Sequence, residues 1–167
     1  MVFRNHPKGK WVFTHLLVRC GETESKLYDE GAITFFSDNP HKYQAVLIVP
    51  NPVLQIELEK ILLEGKARNL HEGRYSVIAN PKNPLYQNSN QWVLEMLAVA
   101  KSIYLTSDQR RNAIKLAMEY GFRPEIVKVG FFKRHLAAMF HPYVKLDDHS
   151  QDDRLNGKFP VVTVKSI

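Results

Sequence analysis

The chain has 167 residues and a single cysteine, Cys20. That excludes an internal disulfide framework and any zinc site built mainly from thiolates. Long apolar runs are also missing. None approaches the roughly 18–20 residues that a membrane-spanning helix needs. No charged-then-apolar leader precedes the first strand-like segment, so the chain as written reads as soluble and cytoplasmic. Its eight glycines form no dinucleotide-type loop, and its seven histidines form no metal-ligand pairing such as His-Glu-x-x-His. Neither a cofactor nor a metal is therefore expected. There are no internal repeats, low-complexity tracts or linkers, which leaves one domain over 1–167, long enough for one sizeable core and short for two.

What is present is an ordinary globular composition, 44% hydrophobic and 24% charged, so wholesale disorder is not expected. Lys and Arg number 23 against 17 Asp and Glu, a net charge of +6. A basic surface attracts nucleic acid, anionic lipid or acidic envelope polymers. Here the positive residues are scattered, as Arg4, Lys8 and Lys10, then Arg110 and Arg111, then Lys133 and Arg134. With no run of five like charges and no helix-turn-helix or ribonucleoprotein signature, a generally basic solvated surface is expected, not a nucleic-acid interface.

Hydrophobic periodicity supplies the elements. Lys10 to Val18 alternates as a strand, with Trp11, Phe13, His15 and Leu17 on one face. Tyr43 to Val49 is nearly continuous in apolar residues, which predicts a strand covered on both faces. Asn51-Pro52 predicts a helix start, with Leu54, Leu58, Ile61 and Leu62 inward and Gly65 as the stop. Arg74 to Asn80 reads as a short strand. Trp92, Val93, Met96, Leu97 and Ala100 form one helical stripe. A Thr106-x-x-Gln109 capping box predicts a further helix ending at Gly121. Strands over Glu125–Val129 and Phe159–Ile167 and a helix over Phe131–Phe140 complete the reading. Strands and helices alternate irregularly, which predicts an α+β fold with a central, mostly antiparallel sheet packed against helices.

The segment Tyr86-Gln87-Asn88-Ser89-Asn90-Gln91-Trp92 is the most informative chemically. It enters an amphipathic helix from a proline-bounded loop, so Asn88 or Ser89 stands at the helix N-terminus. Unpaired N–H groups and the positive dipole end favour a nucleophile there. Capping needs no catalysis, however, and with Asn88 as cap Gln91 reaches the third helical position and can close a capping-box-like pair. His15 is the second candidate, a mid-strand imidazole that needs either a hydrogen-bond partner or a catalytic role. Cys20 follows a strand beside Arg19, which would lower its pKa if the side chains approach, but a lone cysteine is commonly a small buried hydrophobe. Asp147, Asp148, His149, Asp152 and Asp153 depart from the EF-hand spacing and read as a solvated turn.

The stretches His6–Trp11 through Cys20-Gly21, Leu27-Tyr28 through Phe35-Phe36, Tyr86 through Glu95 and Val161–Val164 resemble a bacterial family classed as a domain of unknown function (number 2145). The resemblance spans nearly the whole chain. Its most distinctive piece, Tyr-Gln-Asn-Ser-Asn-Gln-Trp-Val-Leu-Glu, says nothing about activity. More distantly, a strand bearing histidine, a second strand and a later helix opening with Asn-nucleophile-x-x-aromatic-Val resemble the circularly permuted papain-like hydrolases and acyltransferases. That family opens the helix with cysteine. The resemblance places Ser89 at the cysteine position and His15 at the orienting polar position. It also implies a primary histidine on a strand preceding Met1, an additional N-terminal segment and often an export signal. With such a leader the protein would be periplasmic or exported.

Two functions follow as expectations. One is hydrolysis or acyl transfer at an amide or ester, with Ser89 as nucleophile, the N–H groups of Asn90 and Gln91 as oxyanion hole, His15 as base or orienter, and Asn88 as a further polar contact. The other is a non-catalytic module on the same fold. Its cleft, lined by Trp11, Tyr86 and Trp92, would hold an envelope peptide, glycan or lipid fragment.

Overall fold

A computed structural model describes residues 1–37, 44–102, 109–130 and 141–167. The fold is α+β, and the two sheets among the described residues have antiparallel ladders. In the larger sheet β1 (Val2–His6), β2 (Gly9–Leu17) and β3 (Lys26–Gly31) run in the order β1-β2-β3. Phe3 pairs with Val12 across the first ladder, and His15 pairs with Tyr28 across the second. A short helix α1 (Ala32–Phe36) follows β3 directly. The smaller sheet pairs β4 (Glu125–Lys128) with β5 (Lys158–Val161).

The alternation expected in β2 is present, and it assigns the faces. Val12, Thr14 and Leu16 point into the protein, while Trp11 is half exposed. On the other face Phe13 stacks on Phe35 with ring centroids 4.5 Å apart, and His15 meets the same ring edge-on at 5.1 Å.

Helix α2 (Pro52–Leu63) starts as expected, with Asn51 Oδ1 accepting from the Leu54 N–H at 3.0 Å. Gly65 has φ +72°, left-handed backbone that an L side chain rarely adopts, and it leads into α3 (Lys66–Asn69). Helix α4 (Ser89–Lys101) runs through the core, where Trp92, Met96 and Val99 pack with Leu16, Ile61 and Leu70. Helix α5 (Gln109–Glu119) turns Ala113, Ile114 and Ala117 inward. The Thr106 cap and the Phe131–Phe140 helix lie outside the described residues. Helix α6 (Gln151–Asn156) opens on a reciprocal capping box between Ser150 and Asp153, and a 3-10 turn (Val164–Ser166) follows β5. No helix among the described residues is long and apolar enough to cross a membrane.

Three expectations are corrected. From 44 to 49 the chain is not a covered strand: it pairs with nothing named in either sheet, and Val46 and Leu47 are 93% and 71% exposed. An apolar run becomes a strand only where its backbone N–H and C=O groups find a partner strand, and among the described residues this run has none. Arg74 to Asn80 is not a strand but makes single bridges, Glu24 with Arg74 and Tyr75 with Gln87. The closing strand ends at Val161, because Thr163 and Ser166 bond each other in the tight turn that follows.

Candidate functional site

The head of α4 is built by side chains that spend most of their polar groups on structure. Asn88 is the cap. Its Oδ1 accepts from the Gln91 N–H at 2.8 Å, and its amide donates to the carbonyls of Val77 at 3.2 Å and Val162 at 3.4 Å. The Gln91 N–H is therefore not free for an oxyanion hole. The Gln91 side-chain amide is buried and, among the described residues, makes no hydrogen bond back to the Asn88 N–H, so the reciprocal half of the expected box does not form. Asn90 reaches the Val162 carbonyl at 3.5 Å.

The other expected cleft residues do not converge. Trp92 is wholly buried, its indole N–H donating to the Ala67 carbonyl at 3.3 Å, so it belongs to the core. Trp11 lies half exposed near the start of β2. Tyr86 donates its hydroxyl to Asp147 at 3.0 Å.

Ser89 and His15 are not joined either. The Ser89 hydroxyl donates to the Leu16 carbonyl at 2.8 Å. Thr14 points its N–H toward Met1, along the β1 edge of β2. Leu16, two residues on, shares that edge beyond the end of β1, so Ser89 satisfies a carbonyl that the sheet leaves unpaired. His15 stands on the opposite face of the sheet from the core, its Nε2 3.0 Å from Glu30 Oε2. The period of two separates them: an odd position on β2 faces away from α4. Cys20 is exposed, and its neighbour Arg19 lies over the Tyr28 ring at 4.6 Å.

Ser89 does line a groove of about 330 Å³. Among the described residues it is lined by the polar Ser89, the exposed His141, Tyr75 and Tyr143, and by the aliphatic Leu17, Val18, Val77 and Val144. The far wall is held by backbone pairing, with the Val77 N–H on the Tyr143 carbonyl at 2.9 Å, and by Ser76, whose hydroxyl engages Lys145. Burial pushes the Tyr75 phenol above its ordinary value, and the neighbouring Ser89 hydroxyl opposes that shift. The imidazole that shares a groove with Ser89 is therefore His141, which sequence spacing does not single out.

Three further polar constellations are assembled by the fold. Ser25 Oγ lies 3.0 Å from His71 Nε2, a hydroxyl–imidazole pair, but Ser25 is buried and also reaches the Glu72 carbonyl at 3.0 Å. Burial lowers the His71 pKa, offset in part by Ser25 and Glu72. Nothing in the sequence joins residues 46 apart.

Glu95 is wholly buried and takes two hydrogen bonds from Arg110, at 3.0 and 2.9 Å, and one from Gln87 at 2.8 Å. Arg110 also donates to the Pro84 and Tyr86 carbonyls, tying the loop before Ser89 to α5. Burial pushes the Glu95 carboxyl up, and Arg110 opposes it. This pair had a sequence signal: Glu95 falls between Trp92 and Met96 at core-facing spacing, and Arg110 precedes Ala113, Ile114 and Ala117 in the same phase.

The acidic loop, expected to be solvated, instead buries Asp148 and His149. Asp148 accepts the Asn80 N–H at 2.7 Å, and His149 reaches the Ile78 carbonyl at 2.7 Å.

No curated protein matches this chain. No solved structure matches it. The family model described as "Uncharacterized protein conserved in bacteria (DUF2145)" matches residues 1–167, so the chain belongs to that bacterial family.

Proposed function

We propose that the chain is a binding module whose groove at the head of α4 holds a peptide, glycan or lipid fragment of the cell envelope without covalent chemistry. The observation that supports this is the 2.8 Å hydrogen bond from the Ser89 hydroxyl to the Leu16 carbonyl. The proton that a base would remove is committed to the backbone, and the imidazole on β2 is turned to Glu30. A serine nucleophile needs its proton aimed at a base within hydrogen-bond reach. Binding needs only a formed concavity with a few polar groups, which Ser89, His141 and the two tyrosines supply. That ligand class suits a periplasmic or exported protein. The order of β2, β3 and α4 supports, within the same proposal, a permuted papain-like arrangement of the α+β fold. Titration with cell-wall fragments should give binding that persists in Ser89→Ala and no turnover. Any amide or ester cleaved in a Ser89-dependent way overturns the reading.

A second reading is favoured by one observation, the placement of Ser89 and His141 on one groove. In it Ser89 Oγ attacks an ester or amide carbonyl and His141 takes its proton and passes it to the leaving alcohol or amine. Water, or an acceptor alcohol or amine, then releases the acyl group. A serine-reactive probe should label the protein and fail on both Ser89→Ala and His141→Ala. Labelling that survives His141→Ala removes His141 from the reaction.

A further inference from the structure

Resting on the reading of the Ser89 groove as a ligand site, we infer that its occupant is a straight acyl chain ending in a carboxylate, not a sugar or a polar peptide. The walls carry the argument. Leu17, Val18, Val77 and Val144 present aliphatic surface, and Leu17 and Val77 remain 38% and 46% exposed. A ligand that covers them must itself be apolar to gain from contact.

Among the described residues the polar side chains are few for a sugar: Ser89, His141, Tyr75 and Tyr143. Ser89 donates to Leu16, and the Tyr143 hydroxyl points to the Arg19 carbonyl at 3.5 Å. Sugar hydroxyls brought against these walls would lose water and find few partners, which costs binding.

Size and charge narrow the choice further. A volume of about 330 Å³ is at the lower end of the roughly 300–1,000 Å³ of small-molecule pockets, enough for one slender chain. Among the described residues none of the lining side chains is acidic, and the exposed His141 brings an imidazole to the groove. A carboxylate is the end group this lining complements.

The test is calorimetric titration of the intact chain with saturated carboxylates from six to about twelve carbons, below their micellar concentrations. A disaccharide-peptide fragment of bacterial cell wall is titrated alongside. Affinity should rise about fourfold per added methylene until the groove is full, then level off. Val77→Asp, at a half-exposed position and checked for folding by circular dichroism, should abolish that rise. His141→Ala should weaken every carboxylate by a similar factor and leave the rise intact.

Affinity independent of chain length, or a rise unaffected by Val77→Asp, overturns the inference. Alcohols of equal length that bind as tightly as the acids overturn its carboxylate part. If the cell-wall fragment binds in a Val77-dependent way and the carboxylates do not, the groove reading stands and the acyl assignment falls. If neither binds, both fall.

Discussion

Residues 86–91 and residues 46–49 reverse the rule that polar chain lies outside and apolar chain inside. In the first, Gln87, Asn88 and Gln91 are buried around the start of α4. In the second, Val46, Leu47, Ile48 and Val49 are all exposed. The difference lies in backbone bookkeeping. The side chains of Gln87 and Asn88 enter because loop carbonyls at Leu70, Val77 and Val162 and the N–H groups of Glu72 and Gln91 need partners. The apolar run pairs with no strand among the described residues and stays exposed. Burial here follows hydrogen-bond supply as much as hydrophobicity.

Breaking the buried polar side should have the largest effect. Arg110→Met leaves the Glu95 carboxylate in the core without its cation and should cost about 3–5 kcal/mol, measured by urea unfolding. Adding Glu95→Met should recover most of the loss. If the single variant is as stable as the parent, the buried pair is not an anchor of the loop before Ser89.

Asn88→Ala should cost about 1–2 kcal/mol through the cap alone, and more through the carbonyls of Val77 and Val162. Asn88→Asp keeps the acceptor for the Gln91 N–H and loses only those donors, so an intermediate loss separates the two roles in the same unfolding assay.

A smaller effect appears as a dependence on pH. Burial raises the Asp148 carboxyl, opposed by the Asn80 N–H and His149. With the folded value above the unfolded one, its contribution is fully present below the unfolded pKa and lost as pH rises through the folded pKa. Asp148→Asn keeps an acceptor for Asn80 and removes the titration. Its stability relative to the parent should therefore rise with pH across that window, and a constant difference would count against a raised Asp148.

The smallest effect belongs to the apolar run. Leu47→Ser and Ile48→Ser should change unfolding free energy by no more than about 0.5 kcal/mol, as at an ordinary exposed position. A loss of about 2 kcal/mol or more, the scale of a buried truncation, would place this segment in a core after all.

Legibility followed the range of the interaction. The Asn51 and Asn88 caps, the faces of β2 and the helices α2, α4 and α5 were readable because each rests on residues within a turn or two of one another. The buried pair of Glu95 and Arg110 left a partial trace, two charges in phase with apolar stripes. Ser25 with His71, and Asp148 against Asn80, left none, since their partners lie 46 and 68 residues apart. The candidate site divided along the same line: Ser89 was legible at its helix start, and His141 was not.

From the order of residues alone came periodicity, caps and stops, because backbone dihedrals and hydrogen bonds inside a turn depend on near neighbours. Folding in space decided which imidazole shares a groove with Ser89, which face of β2 is buried, and that the Val46–Val49 run joins no strand among the described residues. Those outcomes depend on which edges and carbonyls distant segments leave open to one another.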